Sequence, residues 1–224
     1  MKNARLLFFL ILLIIMFPGT PIYAFQCDTD AMSAELDAAY TADQEIRHEM
    51  MGVLSKYQET GEGMTDLLRL KGEMDSIDQS NQELLTQWMN RCGWPDGLTS
   101  NAHRAVFMIL QHGGLEEMKR FIGEVREKVD KGLMKPESFA LMSDRIAMRE
   151  GRHQTYGTQT FQSPNSVNTV WPVKNPERLD QRRQQVGLPP MQEYIRVAKD
   201  SMGVVMVMDS TLTLEAAREM RGMD

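Results

Sequence analysis

The chain has 224 residues, a formal charge of −6, 42% hydrophobic and 25% charged residues, enough apolar material to bury a core of ordinary size. An acidic chain with no long Lys/Arg run argues against nucleic acid or an anionic membrane as the main partner. Cys27 and Cys92 sit in no CxxC pair and beside no obvious activating histidine, which argues against thiol chemistry.

Residues 1–24 have the layout of a secretory signal peptide. Lys2 and Arg5 precede the apolar run Leu6 to Phe17, and Ala24 ends a short cleavage-type segment. An uncleaved anchor is the alternative, but the run is short for a hydrocarbon core of ~30 Å. Phe25 and Gln26 before Cys27 do not resemble a lipobox. The expectation is an exported protein, periplasmic or secreted, with no stable membrane anchoring after cleavage. Its domain would span residues 25–200, with a tail at 201–224 of uncertain structure. In an oxidising compartment the two cysteines read as a disulfide.

Residues Met32, Leu36, Tyr40, Asp43, Arg47, Met50, Leu54 and Tyr57 keep a 4,3 spacing, which predicts one stripe of a long helix. Asp43 and Arg47 interrupt an otherwise apolar stripe, which argues for partial burial over an exposed i,i+4 ion pair. Gly61-Glu62-Gly63 breaks the helix, and Thr65 or Asp66 can cap the next. The second helix carries Leu67, Leu70, Met74, Ile77, Asn81, Leu84 and Trp88, with Asp78 one turn before the polar Asn81. So short a connection makes the pair antiparallel. Folding about Glu62 sets Asp43 level with Asn81 and Arg47 level with Ile77 and Asp78. It also brings Cys27 to Cys92, where a disulfide would close the hairpin.

Gly93-Trp94-Pro95-Asp96-Gly97 is a turn by composition, after which Ser100 caps a third helix, 101–112, whose apolar face His112 continues. Gly113-Gly114 ends it, exposing carbonyls that favour a cationic imidazole. The fourth helix, Leu115 to about Lys131, has a purely apolar stripe. Pro136 opens a fifth, running to about Glu150, with apolar residues round most of its circumference. Asp144 on it requires a partner, Arg145 or Arg47. After Gly151 the β-forming stretches 155–161 and 167–171 flank Ser163-Pro164-Asn165-Ser166, a small hairpin or extended loop. Asn175-Pro176 starts a helix ending at Gly187, and Pro189-Pro190 introduces another, to about Asp200. Beyond lie an apolar run, Val204 to Met208, and a short helix, Leu214 to Met220. The fold class is therefore mainly α: a single multi-helix domain with a small β-hairpin or extended loop insertion.

Several segments together resemble a family of bacterial proteins grouped as a domain of unknown function and marked by a Gln-x-Tyr-Gly-Thr-Gln segment. The matching pieces are Asp43-Gln44 with Arg47, Asp78 with Asn81, Gly93-Trp94-Pro95, Gln111-His112, Asp144-Arg145, Gln154-x-Tyr156-Gly157-Thr158-Gln159, and Arg182-Arg183 with Val186-Gly187-Leu188. They run from about Asp43 to Tyr194, and the cysteine pair lies outside the pattern. The resemblance supplies no activity. It favours His112 over His153 as the functional histidine, because the pattern includes the His of Gln-His.

Three readings of these residues stand side by side. In the first the protein is a cell-envelope hydrolase or transferase. His112 is the acid or base, Asp144 or Asp43 orients it, Arg47 and Arg145 hold an anion, and water is the nucleophile. Asp78, Asn81 and Gln111 belong to the same polar wall, with Gln154, Tyr156, Gly157, Thr158 and Gln159 positioning the substrate. In the second the pocket captures a small polar or anionic ligand, or a peptide, without turnover. In the third the polar residues form a buried network that fixes helix register. His48, His103, His112 and His153 form no metal-ligand spacing, so no metal or other cofactor is expected. The 19 methionines read as core filler before copper ligands.

Overall fold

The computed structural model describes residues 27–163 and 167–223; residues 1–24, read from the sequence as a signal peptide, lie outside them. Two long helices, α1 (Thr29–Thr60) and α2 (Met64–Cys92), form an antiparallel hairpin. Asp28 opens α1 by accepting the Ala31 N–H at 2.9 Å. Gly61, at φ 74°, closes α1 in the left-handed conformation that glycine adopts at least cost. Thr65 and Asp66 do not cap α2. The helix begins at Met64 directly after Gly63, so both lie within its first turn, where the Asp66 carboxylate faces the positive end of the helix dipole. At the far end Cys27 and Cys92 are joined, with Cα atoms 5.5 Å apart, so the disulfide expected from the hairpin is formed.

The hairpin needs a third layer to cover its apolar stripe, and α3 (Ser100–His112) supplies it. Leu36, Leu85 and Leu110 are fully or almost fully buried in one core with Met32, Ala102 and Val106. Each such leucine contributes roughly 1.5–3 kcal/mol on leaving water. The capping residue of α3 is Thr99, not Ser100: its hydroxyl accepts the Ala102 N–H at 3.0 Å. Helices α4 (Leu115–Asp130) and α5 (Pro136–Arg149) pack on each other and extend the core through Met118, Val125 and Met142.

The stripe of α4 is apolar, as expected, but Lys128 beside it is buried as well. Its ammonium donates to the Trp94 carbonyl at 2.6 Å and to Asp96 at 2.5 Å, which ties the turn after α2 to α4. Hydrogen bonds from Lys128 and Lys131 pull the Asp96 carboxyl down to about 2. His103, also buried, accepts the Trp94 indole N–H at 2.9 Å and serves the same turn.

The remainder is a small three-stranded sheet with short helices round it. Strands β1 (Thr160–Gln162) and β2 (Asn168–Val170) form the antiparallel hairpin, and β3 (Met206–Val207) adds to β2 in parallel. The helix expected over 175–187 divides into a 3-10 turn at Pro176–Arg178 and α6 (Leu179–Gln185). Helix α7 spans Met191–Met202. The tail, α8 (Leu214–Met220), brings Ala217 against Trp171, which is fully buried and edge-on to Phe161 at 5.6 Å. The mainly α architecture with a small β insertion is thus the observed one.

Candidate functional site

The polar interruptions of α1, α2 and α3 meet at one point. Arg47 on α1 lies at the centre: its Nε donates to Asp43 at 2.9 Å, and its Nη2 reaches Asp78 of α2 at 2.5 Å. The same Nη2 stands 2.7 Å from Nδ1 of His112, at the end of α3. Nδ1 is also 3.2 Å from Asp43 Oδ1, and Gln44 donates to the other Asp43 oxygen at 2.6 Å. The Asp43 side chain is only 4% exposed, those of Arg47 and Asp78 26%, and that of His112 18%. The ion pair is therefore not a solvated surface pair, and the exposure gradient runs outward from Asp43.

Burial acts on the two carboxyls with opposite outcomes. At Asp43 burial raises the pKa, but the hydrogen bonds from His112, Arg47 and Gln44 outweigh it and hold the group well below the usual carboxylate range. At Asp78 burial is the larger effect and pushes the carboxyl up, against the pull of Arg47 and His112.

The ring cannot serve both neighbours of Nδ1 at once. If Nδ1 accepts from Arg47, the neutral ring carries its proton on Nε2; if Nδ1–H donates to Asp43, Nε2 presents a lone pair. Nε2 makes no hydrogen bond to the protein among the described residues, so the outward atom can act as donor or acceptor according to which partner holds Nδ1. Ligand atoms of Asp43, Asp78 and His112 lie within 4.8 Å of one another, a spacing a metal could use. Counting histidines misses such a set because two of its members are carboxylates. The Arg47 guanidinium stands among these atoms and supplies the positive charge they require.

More cations gather where α3 ends. Arg145 donates to the Gln111 carbonyl at 3.1 Å and Arg149 to the Gly113 carbonyl at 2.9 Å, each meeting an orphan carbonyl of the helix terminus. Neither has a carboxylate partner among the described residues. Arg145 Nε and Gln111 Oε1 are both buried and unpartnered. Gln82 of α2 donates to the Ile109 carbonyl at 2.6 Å, and its amide would meet a side chain at Gly113 at 3.0 Å. Sequence reading missed Arg149 and Gln82; Arg149 falls one turn after Arg145 on the same helix face, which is the signal that could have found it.

Other expected site residues are placed elsewhere. Asn81 donates weakly to the Ala39 carbonyl at 3.4 Å and not to Asp43. Asp144 is not paired with Arg145 or Arg47. It accepts the backbone N–H groups of Thr155 at 2.7 Å, Tyr156 at 3.0 Å and Thr158 at 3.1 Å, together with the Thr158 hydroxyl at 3.0 Å. The physical reason is that a turn of backbone donors satisfies a buried carboxylate without bringing in a second desolvated charge. Burial nonetheless pushes this carboxyl up against the pull of the four donors.

Gln154, fully buried, continues the same knot. Its amide donates to the carbonyls of Gln159 at 3.0 Å and Trp171 at 2.6 Å, and its oxygen accepts the Gln159 N–H at 2.9 Å. Gly157 sits at φ 68° with α6 and α7 side chains 3.4–3.5 Å from where a Cβ would stand. Arg182 holds the Thr155 carbonyl at 2.8 Å and the fully buried Arg183 holds that of Tyr156 at 2.7 Å. The Gln154–Gln159 segment is thus clamped from three sides by side chains acting on backbone. His153 is exposed and has no part in either cluster.

Taken together, the fold and the cluster define a disulfide-closed helical domain with a histidine–carboxylate–arginine centre at the meeting of three helices. The chain belongs to a family of unknown function (DUF6624), whose model matches residues 29–207. That span takes in the whole cluster, the Asp144 knot and β3. No curated protein and no solved structure matches the chain.

Proposed function

We propose that the protein is an exported hydrolase or transferase for an anionic substrate, with His112 as its acid–base group and Asp43 as the residue that orients the ring. The observation that carries this reading is the asymmetry of His112: Nδ1 is held inside by Arg47 and Asp43, while Nε2 has no protein partner among the described residues, on a side chain 18% exposed. That is the arrangement a positioned acid or base needs. Arg145 and Arg149, cations without carboxylates beside the same helix end, support an anionic group on the substrate. With Nδ1–H on Asp43, Nε2 takes a proton from the attacking water or hydroxyl; with Nδ1 accepting from Arg47, Nε2–H gives one to the leaving group. The Cys27–Cys92 disulfide suits an oxidising compartment, and no helix among the described residues is long and apolar enough to cross a membrane.

The test is turnover of p-nitrophenyl phosphate and p-nitrophenyl acetate by the disulfide-intact protein. Activity lost in His112→Ala and lowered at least tenfold in Arg145→Met, with both variants folded, supports the reading; roughly that loss accompanies removal of one charge-assisted contact. The shorter Nδ1 contact, 2.7 Å to Arg47 against 3.2 Å to Asp43, favours a second reading in which Nε2–H simply donates to a captured anion. Saturable binding of inorganic phosphate with no turnover of either ester gives that reading its result. Neither binding nor turnover removes both.

A further inference from the structure

A cavity of about 840 Å³ lies on the face formed by α1, α3 and the turn between α4 and α5. Its volume is in the range of small-molecule sites, which are mostly apolar with a few placed polar groups. The apolar part of the lining is Phe107 and Met108 from α3 with Leu133, Met134 and Leu141 beyond them, and Glu137 adds an acid. From Ser100 to Met108 the cavity follows α3 for about 12 Å at 1.5 Å per residue, a trough and not a slot for one ring.

One side chain on the lining carries an uncommitted charge. Arg104 is exposed and makes no hydrogen bond or ion pair among the described residues, although most basic residues on the neighbouring helix α4 have acidic partners. The Tyr40 hydroxyl, also on the lining, makes no hydrogen bond among the described residues. The second cation at the edge, Lys135, is paired among the described residues with Glu137 alone, at 3.4 Å and with the lysine side chain 71% exposed, a contact of little strength. An apolar trough with free positive charge at its edge is complementary to a molecule with a long apolar body and one anionic end.

We infer that this cavity binds a fatty carboxylate, with the acyl chain along Phe107, Met108 and Leu141 and the carboxylate on Arg104. The site is separate from the centre at His112 and does not depend on turnover there.

The experiment is calorimetric titration of the disulfide-intact protein with octanoate, decanoate and laurate, each kept monomeric in solution. Binding is expected to be saturable at one site and to tighten with chain length, by up to about fourfold per methylene buried. Arg104→Glu leaves the core untouched, because the residue is exposed, and is expected to weaken laurate binding about tenfold or more. Leu141→Trp fills the trough and is expected to weaken it comparably. Dodecanol, which has the chain without the charge, is expected to bind less tightly than laurate, and His112→Ala to bind laurate as the parent does. Absence of saturable binding overturns the proposal, as does dodecanol binding as tightly as laurate or an Arg104→Glu protein indistinguishable from the parent. Loss of laurate binding in a folded His112→Ala protein also overturns it, since the chain would then lie in the other site.

Discussion

Replacing Asp144 by Ala separates its role as an anchor from a role in chemistry. The carboxylate accepts three backbone N–H groups and one hydroxyl from residues 155–158, and its side chain is fully buried. Truncation leaves those donors without an acceptor. A buried unsatisfied N–H costs about 1–3 kcal/mol, so three set an upper range near ~9 kcal/mol if nothing moves. The segment can relax, and the Thr158 hydroxyl retains its contact with the Gln159 amide at 3.2 Å. A loss of about 4 kcal/mol is therefore expected, at the high end for a single substitution. For a domain of this size it lowers Tm by roughly 8–16 °C. Asp144→Asn keeps the volume and one acceptor oxygen but turns an NH2 toward the Thr158 N–H, so it falls between Ala and the parent. Thermal unfolding followed by far-ultraviolet circular dichroism, with urea midpoints at constant m, measures both. An Asp144→Ala protein melting within about 2 °C of the parent would show that the knot does not hold the segment, and the reasoning from unsatisfied donors would fail.

Three further outcomes follow from the same structure. Arg47→Met leaves the nearly buried Asp43 carboxylate with Gln44 and His112 as its remaining partners and is expected to destabilise by about 1–3 kcal/mol, with much of that recovered in Arg47→Met/Asp43→Asn; urea unfolding of the two singles and the double measures the coupling. Because the folded protein holds the Asp43 carboxyl below its ordinary value of 3.8, its contribution is complete above that value and is lost as pH falls through the lower folded value. The stability gap between the parent and Asp43→Asn should therefore be constant from pH 7 to about 5 and close below about pH 4, as read from urea midpoints. Reducing the Cys27–Cys92 bond, which closes a loop of 65 residues, is expected to cost about 4 kcal/mol on the chain-entropy model and to lower Tm accordingly, as calorimetry with and without reductant would show.

Asp43 and Asp144 are both buried carboxylates on core helices, yet only one announced its partner. Asp43 stands four residues before Arg47 on a stripe that is otherwise apolar, and antiparallel folding about Glu62 places Asp78 opposite that arginine. The spacing of side chains on two helices therefore carries the contact, and the same arithmetic carries the Cys27–Cys92 pairing. Asp144 is answered by backbone N–H groups of residues 155–158, which every residue but proline possesses. Such donors leave no mark in composition or period, so the sequence points instead to the nearest charged residues, Arg145 and Arg47. Gln154 misled for the same reason, since both its donors and its acceptor are spent on main chain. The conspicuous Tyr-Gly-Thr segment is thus built from residues chosen for how the backbone turns: Gly157 for its positive φ, Thr158 for a hydroxyl that joins its own N–H on Asp144. Arg182 and Arg183 then hold the outward carbonyls of that turn. A polar segment can therefore be rigidly specified without touching a ligand. What distinguishes His112 from it is an unspent polar atom: every strong contact of Gln154 and Asp144 ends inside the protein, while Nε2 of His112 makes no hydrogen bond to the protein among the described residues, on a helix end whose last carbonyls accept from Arg145 and Arg149.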